Sequence, residues 1–284
     1  PVIIDESKCK LINGLVSDAI LNAKKDWDSF ETSWDFLENP LVAWSKSLWD
    51  VTAIGATMQH YYGDHPNVSC PVELCWMLYK GECEERFAKL KNNEEEINSI
   101  FIDIYGLQDE LTPEENDSDV TVRKADLVRD IKNLVSYAVG CMLGRYSLNE
   151  GGIIYAGGVW DISKYTSFQP DADNIIPITD ARYMDDDIVD RFCEWLKVVF
   201  GEECLEDNLT FIANTLGTKG TDSRDILRNY FLNEFFKDHC QTYSVTGSGK
   251  RPIYWLFDSG KQNAFKAIVY MHRIDVDTIG RVRI

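Results

Sequence analysis

"KADLVRDIKNLVSYAVGCMLGRY", residues 124–146, decides the fold class. Val128, Ile131, Leu134, Val135, Ala138, Val139 and Met142 recur at three- and four-residue intervals, the period that gathers side chains on one face of an α-helix. Ser136, Gly140 and Gly144 lie four apart in the same stretch. A helical glycine costs about 1 kcal/mol relative to alanine, so this ridge of small residues is expected to admit a close-packed neighbouring backbone.

The same period extends in both directions. Residues 6–25 put Leu11, Leu15, Val16, Ala19 and Ile20 on one stripe. Residues 72–107 read as a long helix with a charged outer face, an apolar side of Phe87, Leu90, Ile97, Phe101 and Ile104, and a stop at Gly106. Three more helices are expected at 185–200, 202–216 and 222–240. Acidic residues at their starts suit the helix dipole, and Gly201 and Gly217 suit the ends of the first two. The run Asp185–Asp186–Asp187 reads as a cap in a solvated turn, since consecutive carboxylates cannot all face one ion.

"RPIYWLFDS" (251–259) and "AFKAIVYMHR" (264–273) alternate as two antiparallel strands joined by "GKQN". The expected fold is therefore mainly α: a multi-helix chain with a small antiparallel β-hairpin near its C-terminus. The acidic, proline-containing "DELTPEENDSD" (109–119) separates two expected regions, 1–112 and 120–284. Between the first helices, "DWDSFETSWDFLENPLVAW" (26–44) lacks helical phase. Trp27, Phe30, Trp34 and Phe36 are expected to pin it to the helices as packing anchors. There is no sequence repeat.

Composition fits a globular chain: 44% of the 284 residues are apolar and 27% charged. The longest apolar run, "LVSYAVGCMLG" (134–144), falls short of the roughly 20 residues that span a bilayer. The sequence opens at Pro1 with no signal-peptide pattern and ends in what reads as the start of another helix, so a fragment of a longer polypeptide is expected. Eight cysteines, at 9, 70, 75, 83, 141, 193, 204 and 240, show no C-x-x-C pair. That spacing disfavours a zinc knuckle and points to scattered buried thiols in a reducing cytoplasm.

Net charge is −18 and unevenly spread. Residues 82–119 hold thirteen acidic against three basic side chains, whereas residues 245–284 hold seven basic against three acidic. An acidic body repels a phosphate backbone, so only the C-terminal hairpin region has the right sign to meet nucleic acid.

The motifs of chemistry are each incomplete. "SVTGSGKRP" (244–252) imitates a phosphate loop, but Ser244 stands where a glycine is required and Arg251 where a Ser or Thr should hold magnesium. A strand follows it, not a helix. His60 and His65 miss the i, i+4 spacing of a helical metal pair, and there is no G-x-S-x-G elbow. "DIK" (130–132) echoes a metal-nuclease motif from the middle of an amphipathic helix. "ENPLVAW" (38–44) approaches the N-P-P-aromatic motif of adenine methyltransferases, in which Asn and a carbonyl hold the target amine and an aromatic stacks on the flipped base. Leu41 replaces the second proline and Val42 the aromatic, which removes both geometry and stacking.

Several stretches resemble one family in the same order. They are "DWDSFETSWDF" (26–36), "INSIFIDIYGLQDELTPE" (97–114), "DIKNLVSYAVGCMLGRYSL" (130–148), "GGIIYAGG" (151–158), "DNIIPITD" (173–180), "RNYFLNEFFKDHC" (228–240) and "RPIYWLFDSGKQNAFKAIVYMHR" (251–273). Together they are similar to the C-terminal portion of the BREX-type, phage-defence, adenine-specific DNA methyltransferases, the PglX family. For residues 59–80 nothing is carried over from it.

The resemblance implies a parent that moves a methyl group from S-adenosylmethionine to adenine N6, with its catalytic and cofactor motifs upstream. It implies no catalytic, cofactor-binding or metal residue in this portion. The expected partners are DNA through the parent enzyme, the remaining domains of the same chain and other defence proteins, without a membrane. The basic residues Lys250, Arg251, Lys261, Lys266 and Arg273 are the candidate DNA contacts; the alternative is a helical scaffold that binds only proteins.

Overall fold

A computed structural model describes residues 6–48, 51–62, 70–245, 249–260 and 265–282. Helix α1 (Glu6–Trp27) is followed by α2 (Pro40–Ser45), α3 (Val51–Tyr62) and the long α4 (Pro71–Tyr105). Helix α5 (Leu127–Met142) occupies the stretch with the clearest helical period. After a long connection come strand β1 (Ile176–Ile178), α6 (Ile188–Phe200), α7 (Leu205–Leu216) and α8 (Ser223–Tyr230). A π-helical turn, Phe231–Phe235, joins α8 to α9 (Phe236–Thr242). Strands β2 (Ser244–Val245), β3 (Gly249–Lys250), β4 (Tyr254–Asp258) and β5 (Lys266–Tyr270) and a short α10 (Thr278–Val282) complete the order.

Helix α5 is the axle. Asp126 caps it, its carboxylate accepting from the Arg129 N–H at 2.8 Å. Ile131, Leu134, Val135, Tyr137, Ala138, Val139, Cys141 and Met142 are all buried. They share one core with Phe36, Leu41 and Val42, with Val72, Cys75, Tyr79 and Cys83 of α4, and with apolar residues of α6–α8 and the sheet. Residues on both sides of 109–119 therefore build the same interior. The second half of α4 leaves that core and pairs with α1, where Phe87 and Leu90 pack with Val120, Val122 and Ala19.

The ridge of small residues on α5 meets rings, not a backbone. A Cβ on Gly140 would come within 2.4 Å of the Tyr146 ring, and one on Gly144, whose φ is +78°, within 2.4 Å of Trp160. The chain folds back over its own helix end and lays aromatics into the notch. Long helices elsewhere stop where expected, at Gly106, Gly201 and Gly217, all with positive φ.

The expected hairpin is present. β4 and β5 are antiparallel, with Tyr254 opposite Tyr270 and Asp258 opposite Lys266. β1 adds to the other edge of β5, pairing Ile176 with Ile268, so the order is β1-β5-β4 and β5 is central. All five residues of β5 are buried. Pro177 is tolerated because β1 is an edge strand.

Three further sequence expectations change. Phe36 and Phe30 do pack, the latter beneath the Arg123 guanidinium at 3.4 Å. Trp34, however, is 99% exposed and Trp27 56%, so these two are not anchors of this chain's own core. The stripe on α1 splits: Ala19 joins the α4 contact, whereas Leu11, Val16 and Ile20 remain exposed. Finally, Asp187 is not solvated. It caps α6 through the Val189 N–H at 3.0 Å while fully buried, and Arg228 grips its carboxylate with two bonds of 2.5 and 2.9 Å.

Removing one partner of a buried, bidentate pair strands the other charge in the interior. Arg228→Ala is expected to lower the unfolding free energy by about 3–5 kcal/mol in denaturant titrations. The double variant with Asp187→Ala should lose less than the sum of the two single losses.

Candidate functional site

The basic hairpin is the part of the chain that charge alone singles out, and the structure separates its five candidates. β3 pairs with β2, placing Lys250 opposite Ser244, so the glycine–lysine sequence lies in a short β-ladder and no helix follows it. Arg251 is exposed. Lys261 lies outside the described residues. Lys266 is buried: its Nζ donates to the Leu232 carbonyl at 2.9 Å and lies 3.4 Å from Asp258. Leu232 belongs to the π-helical turn, so this lysine fastens the sheet to the widened helix.

Arg273 is likewise committed inward. It donates to the carbonyls of Leu143, Asp171 and Ala172 at 3.2, 2.8 and 3.3 Å, and its guanidinium lies 4.1 Å over the Trp160 ring. Burial pushes its pKa down. Arg251 thus has its side chain open to solvent, while Lys266 and Arg273 hold elements together. On β4, Trp255 is 54% exposed and Tyr254 fully buried.

Tyr254 leads into a polar centre where the hairpin, α9 and the end of α5 converge. Arg145 Nε donates to Tyr146 Oη at 2.9 Å and its Nη1 to Tyr270 Oη at 3.3 Å. Tyr146 and Tyr243 donate to the Glu31 carboxylate at 3.3 and 3.1 Å. Tyr270 in turn donates to the Tyr155 carbonyl at 2.7 Å. Burial pushes the Glu31 pKa up, against bonds from Ser136 and the tyrosines and the charge of Arg145. His239 stacks on Tyr254 at 4.4 Å, and its Nε2 accepts from the backbone N–H groups of Ile253 and Tyr254 at 3.1 and 3.4 Å.

These groups tie the hairpin, α9 and the end of α5 to one another. Burial, then the charge of Arg145, holds His239 down to about 3, so the imidazole is neutral near pH 7. Burial pushes the thiols of Cys70, Cys83 and Cys193 up to about 11, away from thiolate chemistry.

The near-miss motifs are spent in the same way. The Asn39 side-chain oxygen caps α2 by accepting from the Leu41 N–H at 2.9 Å, and Leu41 and Val42 are each 1% exposed. Asp130 accepts from Trp76 Nε1 and the Asp126 N–H, and Lys132 pairs with Asp238 at 2.9 Å. Lys132 and Asp238 also line a cavity of about 370 Å³ between α5 and α8–α9, so its lysine already has a counter-ion.

The histidine makes the frame acid-sensitive. Its folded pKa lies below the unfolded value near 6.5, so its contribution is complete above that pH and is lost as pH falls towards 3. Glu31, with a raised pKa, contributes with the opposite sign, gaining as pH falls through its folded value. Comparison with His239→Gln, which keeps an acceptor and the carboxylate, isolates the imidazole. Between pH 7 and 4.5 the parent sequence should lose about 2–3 kcal/mol more stability than the variant in urea titrations.

No protein-family model matches the chain. Two curated proteins do, over nearly all of it. It is 46% identical over 272 residues to the adenine-specific methyltransferase PglX of Lacticaseibacillus casei (strain Zhang), covering 95% of this chain and 21% of that protein. It is 32% identical over 302 residues to the adenine-specific methyltransferase BrxX of Escherichia coli O9:H4 (strain HS), covering 96% of this chain and 22% of that protein. The chain thus spans about a fifth of the length of these relatives. Over nearly all of its length it is thus similar to a segment of that size in the adenine-specific methyltransferases PglX and BrxX.

Proposed function

We propose that this chain is a non-catalytic region of a phage-defence DNA methyltransferase, serving DNA engagement or assembly while methyl transfer is carried out elsewhere in the parent. In this reading the parent moves a methyl group from S-adenosylmethionine to adenine N6. One observation carries it: among the described residues, the polar groups of the near-miss motif and of the buried centre are engaged by the fold. Asn39 caps a helix, His239 receives two backbone donors, and Glu31 and Arg145 are tied up by tyrosines.

For DNA, the geometry favours Arg251, with Lys250 beside it in sequence and Lys261 across the expected turn. Lys266 and Arg273 act upon this surface by holding the hairpin in place. Arg251 and, four residues on, Trp255 are both exposed, a cation and an aromatic of the kinds that meet a nucleic-acid backbone and an unstacked base. The strongly acidic stretch 82–119 supports the second reading, a scaffold for protein partners.

Salt dependence separates the two. If the hairpin meets phosphates, the parent enzyme carrying Lys250→Ala and Arg251→Ala binds duplex DNA more weakly. The slope of log affinity against log salt should shrink by about one for each phosphate-neutralising cation removed. Lys266→Ala should instead register as diminished stability. An unchanged affinity and slope in the double variant would leave the protein-scaffold reading in place of the DNA one.

A further inference from the structure

Helix α1 carries two apolar faces, and the described structure covers one of them. Its inner face lies along α4: Ala19 packs by Phe87 and Leu90, and Asp26 is buried between Arg86 and Arg123. The outer face runs Asn13, Val16, Ile20, Ala23 and Trp27, at alternating steps of three and four residues. Val16 is 39%, Ile20 64% and Trp27 56% exposed, and Asn13 and Ala23 are exposed as well. A three–four alternation of apolar residues is the seam one helix presents to another, and a single Asn within such a seam fixes register.

We infer that this seam is the docking face for a helix from the rest of the methyltransferase polypeptide, an inference that rests on the reading above. Two facts select that occupant. The relatives are about five times longer than this chain, so most of the parent lies outside it. Four apolar side chains along one helix also fall short of the roughly 1,200–2,000 Å² that a stable association between separate molecules buries. A partner on the same polypeptide needs less area, because its effective concentration is high. The mixed character of the flanks, Lys24 beside the seam and Leu21 half exposed, fits an amphipathic partner and not a lipid surface.

Side-chain oxidative labelling of the full-length parent, without DNA, tests this. Trp27 and Trp255 are equally exposed here, at 56% and 54%, so they should label alike if nothing covers α1. The docked seam predicts Trp27 labelled on the order of fivefold more slowly than Trp255, as its exposure passes into the buried range. Ile20→Glu should release Trp27 to the rate of Trp255, while the fully buried Trp195 stays protected and reports an intact fold. Equal rates for Trp27 and Trp255 in the unaltered parent would overturn the inference. So would protection of Trp27 that disappears on dilution, which would assign the seam to a second copy. Methylation by the same preparation reports separately on the methyltransferase reading.

Discussion

A carboxylate placed among tyrosines governs the architecture. Glu31 sits in the connection after α1, yet its partners come from the end of α5 and from α9, more than a hundred residues away in sequence. Burial already disfavours the charged form of Glu31, and each segment that supplies a donor offsets part of that cost, so the three segments support one another. Arg145 completes the arrangement by donating to Tyr146 and to Tyr270 on the central strand. Helix, loop and sheet are thereby registered against one another by groups with angular preferences, which apolar packing alone would leave loosely specified.

The same economy explains why residues of enzyme-like motifs are used structurally here. Its asparagine and aspartate signals at 39, 130 and 187 occur where motif matching would seek chemistry, but each has a nearer structural employer. Asn39 satisfies a helix start, Asp130 holds Trp76 and the Asp126 N–H, and Asp187 combines a cap with a buried ion pair. Groups so fully satisfied are held in one geometry and offer little to a substrate.

Much of the helical skeleton is legible because period and punctuation agree: α5 by its apolar rhythm, α4 and α7 by left-handed glycines, β4 and β5 by alternation. Helix α2 escapes notice although Asn39–Pro40 is a cap followed by a first-turn proline, a signal that six residues of periodicity cannot amplify. β1 is three residues long and shows no alternation. The π-helical turn leaves the apolar rhythm nearly intact and so has no signature of its own. Among the candidate site residues, Lys266 offers a clue, a lone charge inside the apolar run of a strand; the inward role of Arg273 depends on loops brought together only by folding. The two faces of α1 read as one because a stripe in sequence does not state which side a neighbour will take.

The placement of β5 sets the order in which this chain can mature on the ribosome. Its neighbours in the sheet are β4, just ahead of it, and β1, roughly ninety residues earlier. At about 5–20 residues per second, β1 emerges several seconds before the strand that must cover it. During that interval its edge, and the space that Tyr270 later fills beside Arg145, have no native occupant. The nascent segment thus depends on delayed closure, and a ribosome stalled upstream of residue 266 would hold an unfinished interior open to misassembly.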